Sequence, residues 1–283
     1  MIIQCIFEGL IIGSILAMIA MGIALIWGVM NVLSFAQGEF LMLGMYIAFY
    51  LNQKLDWDPI LSIPVTMAVM FGLGVVIYKV LISRALKGPV LSQRLITFAL
   101  GMVLANGMLM LVSSEFRTIK EVMFTGTVNL DYLVVSKEKL VPLISSMTIT
   151  ALLFWFINKT RYGKAIRATA MEKDAAELVG IDSEKAYMIA FGISCGVAGA
   201  AGCILSYYYY ITPTVGSGFL LFGVIAVALG GFGSIFGAFA GGILMGLIDV
   251  FAGVYFNTAL KYVVVCVVFM LIVSFKPKGL FGK

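Results

Sequence analysis

The chain has 283 residues, of which 62% are hydrophobic and 12% are charged, and its mean hydropathy is +1.09. Soluble domains contain about 45–50% apolar and about 25% charged residues, so this composition excludes a soluble globular protein and predicts a polytopic membrane protein. The net charge of +5 does not indicate nucleic-acid binding, because the basic residues cluster at the ends of apolar segments, where the positive-inside rule places them.

A bilayer core about 30 Å thick requires about 20 apolar residues per helix, and lipid offers no partner to unpaired backbone groups. We therefore predict an all-α fold, a bundle of about eight or nine membrane segments forming one transmembrane domain over residues 1–283. Two segments are too short to span alone. The apolar segments are approximately Ile6–Val29, Phe40–Leu51, Ile60–Ile82, Leu95–Val112, Leu140–Ile157, Ala186–Tyr210, Phe219–Leu229, Phe236–Val254 and Tyr262–Phe275.

Basic residues in three segments predict which side of the membrane each loop occupies. These residues are Lys79, Arg84, Lys87 and Arg94, then Lys159, Arg161, Lys164 and Arg167, then Lys276, Lys278 and Lys283. The C-terminus is therefore expected in the cytoplasm, and counting back places the N-terminus outside. The stretch 113–139 has no positive excess and is expected outside. Within it, alternation over Val128–Val135 allows a small hairpin, although a solvated loop is the preferred interpretation.

Two regions interrupt the apolar pattern, one in each half of the chain. Asn31, Gln37, Gly38 and Glu39 break the first, and Gly230, Gly231, Gly233 and Ser234 break the second. Interrupted segments in corresponding positions of two halves indicate a transporter path, because irregular backbone at membrane depth is tolerated only where it is buried in protein or lines a cavity. A short likeness between residues 38–44 and 242–246 also suggests an internal repeat.

Three side chains within or next to the apolar segments carry a charge or an amide. A carboxylate at Glu39 costs about 2.5–3.5 kcal/mol in the bilayer centre unless it faces water or a partner, so a functional role is favoured over a helix-capping one. Asp249 is predicted to form a structural ion pair with Lys261. Asn106 is predicted to donate an interhelical hydrogen bond, with a place on the path as the alternative.

The most charged loop of the chain, at about 158–185, contains an amphipathic segment that is suited to contact a soluble partner. The residues proposed for that contact are Glu172, Asp174, Ala175, Ala176, Leu178, Val179 and Gly180. The chain has no phosphate-binding loop and no histidine, which argues against ATP hydrolysis, a Ser-His-Asp triad or a zinc-histidine site in this subunit. The four cysteines have no metal-binding spacing, and neither a metal nor another cofactor is expected.

Several ordered blocks resemble the permease subunits of branched-chain amino acid ABC transporters of the LivH type. The blocks are Phe35–Gly44, Tyr162–Ala168, Ala175–Ile181, Leu229–Ser234 and Lys276–Gly282. The resemblance covers almost the whole chain, and the segment Asp174–Gly180 resembles the Glu-Ala-Ala-x-x-x-Gly coupling loop of ABC importers, with Asp in place of Glu. Gln37 departs from the histidine that many relatives have at this position.

The resemblance implies a bacterial inner-membrane importer that works by alternating access. Its expected partners are two cytoplasmic ABC ATPases, a second related permease subunit, a solute-binding protein outside the membrane, and lipid. The expected solutes are branched-chain or other small neutral amino acids, with urea or short amides as the alternative within the family. A separate hypothesis is an ion-coupled secondary transporter that uses Glu39 and Asp249. A third, a membrane scaffold that transports nothing, is disfavoured by the two interrupted regions.

Overall fold

The computed structural model describes residues 2–119, 126–130, 133–255, 260–276 and 279–281. Six of its helices are long and apolar enough to cross a membrane, which confirms the predicted all-α polytopic bundle. In chain order the elements are α1 Ile2–Met30, α2 Gln37–Leu55, α3 Pro59–Ile77, a π-helical turn Tyr78–Ile82, α4 Ser83–Ala85, α5 Val90–Val112, β1 Thr127–Leu130, β2 Leu133–Ser136, α6 Lys137–Lys159, α7 Arg161–Met171, α8 Lys173–Leu178, α9 Ser183–Leu205, α10 Val215–Gly230, α11 Ile235–Tyr255 and α12 Lys261–Phe275.

Strands β1 and β2 pair antiparallel, from Thr127 opposite Ser136 to Leu130 opposite Leu133. The preference for a solvated loop over residues 128–135 was therefore wrong. The apolar–polar alternation from Val128 to Asp131 in the sequence was the correct signal, because alternation with a period of two is typical of a strand.

Helices α1 and α9 form the centre of the bundle. Among the 18 most apolar consecutive residues of each helix, 89% are buried inside the protein. The corresponding share is 28% for the segment Pro59–Ala85 and 22% for α5. Small residues allow this close packing, since the backbone of α1 at Gly9 and Gly13 contacts α11 and the backbone of α9 at Gly199 contacts α3. The outer helices present their apolar faces to the surroundings, as expected for lipid-exposed segments.

The helices α1–α3 and α9–α11 form an inverted repeat. Helix α1 packs antiparallel along α11, and α9 packs in the same way along α3. Helices α2 and α10 are equivalent in this arrangement and cross at Gly38 and Gly216. The predicted pairing of residues 38–44 with residues 242–246 in a repeat was therefore wrong. Gly242 packs against Ala17 of α1, whereas the counterpart of Gly38 is Gly216 in α10.

The two interrupted regions also differ in their structural roles. Residues 31–36 connect α1 to α2, and their counterpart in the second half is the α9–α10 connection at 206–214, which the sequence analysis did not single out. The glycine-rich region 231–234 is instead the turn between α10 and α11, with Gly231 at φ 106° and Gly233 at φ 81°. Glycine suits this turn because left-handed backbone is costly for residues with a Cβ atom.

The bundle has two ends of different charge. One end, which we call the basic end, contains the ends of α1 and α10 and the loops before α5 and α9. Its basic side chains are Arg84, Lys87, Arg94, Lys159, Arg161, Lys164 and Arg167. Residues 279–281 close this end, since Leu280 donates to the carbonyl of Leu229 at 2.8 Å and Phe281 donates to that of Gly230 at 3.0 Å. Lys278 and Lys283, which were used in predicting sidedness, lie outside the described residues. The far end, with residues 2–8 and 56–58, is called the opposite end.

Candidate functional site

The first turns of α2 and α10 meet in the middle of the bundle. Each helix has glycine as its second residue, and a Cβ added at Gly216 would lie 2.6 Å from the carbonyl oxygen of Gly38. A Cβ at Gly38 would overlap the carbonyl oxygen of Gly216 in turn. Only residues without side chains allow the two backbones to approach this closely. Two helix N-termini, with their unpaired N–H groups, therefore point into the centre of the protein.

Gln37 links three helices beside this crossing. Its Nε2 donates to the carbonyl oxygen of Ser194 at 2.9 Å and to the Ser194 hydroxyl at 2.8 Å. The same hydroxyl donates to the carbonyl oxygen of Gly22 in α1 at 2.7 Å. Ser194 was not a predicted site residue, because in sequence it is one of many small residues in α9. Through Ser194, the amide of Gln37 thus links α2 to both α9 and α1.

Glu39 lies in the first turn of α2 and is 6% exposed. Its Oε2 atom has no hydrogen-bond partner among the residues that the structure describes. This oxygen would lie 2.8 Å from a Cβ at Gly216, so the carboxyl group is directed towards the first turn of α10. The N-terminal dipoles of both helices stabilise negative charge there. The arrangement provides a buried acceptor with one oxygen available for a ligand or a proton.

The remaining residues predicted for the path are separated from Glu39. Asn31 ends α1 at φ 56° and is exposed at the basic end. Asn106 is exposed on α5, and its side-chain nitrogen donates to the carbonyl of Met102 in the same helix at 2.8 Å. Among the residues that the structure describes, Asn106 makes no interhelical hydrogen bond, because its side chain faces outwards and bonds within its own turn.

The glycine-rich turn contributes packing at the basic end. Gly230 contacts the backbone of Gly237, and the Ser234 hydroxyl accepts the N–H of Gly237 at 3.0 Å, which caps the start of α11. Gly231 lies against Gly279 of the closing segment. These contacts fix the turn between α10 and α11 and leave no open space at Gly230.

A cavity of about 280 Å³ opens beside this turn, between α1, α6, α7 and α11. The residues around it include Gly28, Phe154, Asn158, Arg167, Gly233 and Phe236. The cavity connects the ends of α1 and α6 with α7, so a movement of α7 acts directly on its walls.

The predicted partner-binding segment forms α8 and the turn after it. Glu172 is extended at φ −155° and separates α7 from the short helix, in which Asp174 occupies the first turn beside Ala175. Leu178 and Val179 are 89% and 76% exposed, although both are apolar. Gly180 ends the segment at φ 83° with open space around it. Exposed aliphatic side chains at the tip of a polar loop are typical of a binding surface.

Ala176 does not belong to that surface. This residue is only 4% exposed, and its carbonyl accepts the N–H of Ile181, which closes the turn after α8. The direct partner contact predicted for Ala176 is thus inconsistent with its position. Met171, which is 86% exposed at the end of α7, was missed and belongs with Leu178 and Val179. We call these three residues the apolar tip.

The loop is anchored to the bundle at both ends. The Thr160 hydroxyl accepts the N–H of Gly163 at 3.0 Å and caps α7. Asp182 caps α9 by accepting the N–H of Lys185 at 3.0 Å, and this backbone hydrogen bond holds the pKa of the Asp182 carboxyl below its ordinary value. Two capped helix starts make the loop a defined structure that can transmit a displacement.

At the opposite end, Lys261 Nζ lies 2.8 Å from Asp249 Oδ2, so the two side chains form an ion pair between α11 and α12. Asp249 is 4% exposed, and the Lys261 ammonium lies 5.8 Å from the centre of the Phe222 ring.

Comparisons with known proteins identify the family of the chain. The family model described as "Branched-chain amino acid transport system / permease component" matches residues 5–273. The chain is 29% identical over 293 residues to the permease protein BraD of Pseudomonas aeruginosa, with 99% of this chain and 95% of the relative covered. It is 29% identical to LivH of Escherichia coli K12 over 294 residues, with 99% and 95% covered.

A third relative is the probable permease protein LivH of Methanocaldococcus jannaschii, at 29% identity over 264 residues, with 90% of this chain and 83% of the relative covered. The names of these relatives describe them as branched-chain amino acid transport permeases. No solved structure matches the chain.

Proposed function

Because the chain belongs to the family of branched-chain amino acid transport system permease components, we propose that its cargo is a branched-chain or other small neutral amino acid. The chain is a permease subunit of an ABC importer, and ATP hydrolysis belongs to partner ATPase subunits. The observation that carries the proposal is the match over residues 5–273, which includes the central crossing and the apolar tip. The solute follows from the names of the relatives.

In this proposal the basic end faces the cytoplasm of a bacterial cell, and the N-terminus lies outside. The Lys and Arg side chains around the loops before α5 and α9 support this orientation by the positive-inside rule. The loop 158–185 is then cytoplasmic, where an ATPase is available to it.

The apolar tip is the proposed docking point for one ATPase, with α8 and Gly180 shaping it. The complete transporter contains two such ATPases, a second related permease and a solute-binding protein at the opposite end. A groove on an ATPase that accepts Met171, Leu178 and Val179 would remove three exposed apolar side chains from water, at about 25 cal/mol per Å² of apolar surface.

Coupling then follows the contacts of α7. A displacement of the apolar tip moves α7, which contributes Ile166 and Arg167 to the cavity at the basic end. The same cavity includes Gly28 near the end of α1, three residues before the irregular connection 31–36. That connection leads into Gln37 and Glu39 at the central crossing. Docking and solute release are thus joined by one continuous series of packed elements.

The ion-coupled alternative has less support. It requires Asp249 as a second titrating group, yet Asp249 is paired with Lys261 at 2.8 Å. The family match supports an ATP-driven importer instead, and the names of the relatives give no support to urea or short amides.

Purification of the tagged chain from its native membranes tests the proposed function. We expect ATPase and permease partners to co-purify, and the complex in liposomes with its binding protein to take up L-leucine only when ATP is hydrolysed. Uptake by the isolated chain, driven by a proton or sodium gradient without ATP, would overturn the proposal in favour of secondary transport.

Glu39→Gln is expected to lower ATP-driven uptake at least about tenfold. The amide keeps the volume of the side chain but removes the carboxylate, and a hydrogen bond to a charged group contributes about 1.5–3 kcal/mol. Membrane insertion should be unchanged, since a neutral amide costs less to bury than a carboxylate. Initial uptake rates normalised to purified complex measure this effect. Glu115→Gln, at an exposed position after α5, is the control and should transport normally; equal rates for both variants would remove Glu39 from the mechanism.

A further inference from the structure

The opposite end of the bundle contains a cavity of about 300 Å³ between α1, α9, α10, α11 and α12. This volume is at the lower limit of the roughly 300–1,000 Å³ that is typical of small-ligand pockets. Its walls combine two kinds of surface. The apolar part includes Ile12, Ile15, Leu16, Phe219 and Phe222, and the polar part includes Tyr208, Asp249 and Lys261.

The polar groups of this cavity have unused bonding capacity. Asp249 bonds Lys261 through Oδ2 only, while its Oδ1 atom is buried without a hydrogen-bond partner in the part of the chain that the structure describes. The hydroxyl of Tyr208 is also buried and unpaired among the described residues. Leaving a buried polar atom unpaired costs about 1–3 kcal/mol. Both residues line this cavity, so its wall favours a polar ligand.

The charges define what kind of ligand fits. We infer that this cavity binds the zwitterion of a branched-chain α-amino acid inside the permease itself. The ligand ammonium group pairs with Asp249, its carboxylate pairs with Lys261 and accepts a hydrogen bond from Tyr208, and its aliphatic side chain lies against the apolar wall. An ion pair and a zwitterion are both neutral overall, so the charges of each compensate those of the other when water is excluded. This inference rests on the proposed function and assigns its cargo a binding site within the permease.

The position of the cavity matches a step in import. Val215, the first residue of α10, lines it and is adjacent to Gly216 at the central crossing. A solute released into the cavity from the opposite end therefore reaches the first turn of α10, on whose other side Glu39 lies. An ion pair that only joins α11 to α12 would explain neither the unpaired oxygen of Asp249 nor that of Tyr208.

Equilibrium binding of radiolabelled L-leucine to the purified transporter complex, without binding protein and without nucleotide, tests the inference. We expect saturable binding that unlabelled L-leucine displaces. 4-Methylpentanoate lacks the ammonium group, 3-methylbutylamine lacks the carboxylate, and urea lacks both charges. Each should compete at least about tenfold less well, because it makes fewer charge-assisted hydrogen bonds to Asp249 and Lys261 than the zwitterion does.

Two variants locate the binding to this cavity. Asp249→Asn combined with Lys261→Gln should abolish leucine binding, and Tyr208→Phe, which removes one hydroxyl and keeps the ring, should weaken it about tenfold. The matched control replaces the other ion pair at this end, Glu8 and Lys139 at 2.6 Å, by Glu8→Gln with Lys139→Gln, and should bind leucine normally. If the double variant does not fold, binding of leucine to Tyr208→Phe alone tests whether this cavity is the site.

The outcomes separate the inference from the proposed function. Leucine uptake driven by ATP, together with no binding to the complex alone or with normal binding by Tyr208→Phe, would overturn this site and leave the importer intact. A complex that takes up no amino acid under any condition would instead overturn the proposed cargo. Loss of binding in both variants, with normal binding in the control, would establish the site.

Discussion

Leu178→Glu combined with Val179→Glu is expected to abolish co-purification of the ATPase and to reduce uptake to the background of empty liposomes. Both side chains are more than three-quarters exposed and therefore contribute little to the fold of the permease, so the loss should be confined to docking. Two carboxylates in an apolar groove would be desolvated without partners, which costs several kcal/mol for each ion and exceeds the contribution of two aliphatic contacts. Pull-down of the tagged permease, followed by measurement of ATPase activity in the eluate, reads out this effect.

Tyr162→Glu is the matched control for this experiment. Tyr162 is 62% exposed in the first turn of α7, and the helical residues after it extend about 14 Å along the axis towards α8. A carboxylate at this exposed position outside the apolar tip should thus leave the ATPase bound. If both variants lose the ATPase, the contact is not specific to the apolar tip; if both retain it, the docking assignment is wrong.

Gly38→Ala is expected to destabilise the bundle and to abolish transport, although it adds one methyl group. The new Cβ atom would overlap the carbonyl oxygen of Gly216, a backbone atom that cannot rotate away. Overpacking of a buried site typically costs about 1–3 kcal/mol, and here it displaces Glu39 as well, so function should decrease more than stability. Thermal unfolding of the purified complex, followed together with uptake, distinguishes the two effects.

Gly107→Ala is the corresponding control. A Cβ at Gly107 in α5 meets nothing within 4 Å, and replacing glycine by alanine in a helix is favourable by about 1 kcal/mol in water. Stability should therefore be unchanged or slightly higher. Normal uptake by Gly38→Ala would contradict the close approach of α2 and α10.

The sequence was sufficient to predict the class of fold and most helices. Apolar runs gave every long helix, and the two runs judged too short to span alone correspond to α2 and α10, the half-helices that meet at the centre. Glu39 was identifiable because a carboxylate is rare within an apolar run. The loop 158–185 was identifiable because charge is scarce elsewhere in the chain.

The tertiary relationships were not predictable from one sequence. The break between α9 and α10 at residues 206–214 was not predicted, because its four tyrosines continue the apolar pattern of α9. Pro213 was the residue that could have indicated the end of a helix. Asn31, Gln37 and Glu39 are neighbours in sequence, yet only the last two lie at the centre, because the chain turns back at φ 56° on Asn31. Ala176 faces inwards, and a helix of six residues is too short for a periodic pattern to reveal its buried side.

The inverted repeat has a consequence for how such a subunit opens. The crossing of Gly38 with Gly216 joins the two halves of the repeat near the centre of the bundle. If the halves tilt as rigid bodies, we expect this crossing to move least, because backbone packed against backbone leaves no room to slide. Such a tilt would widen one end of the bundle while it narrows the other.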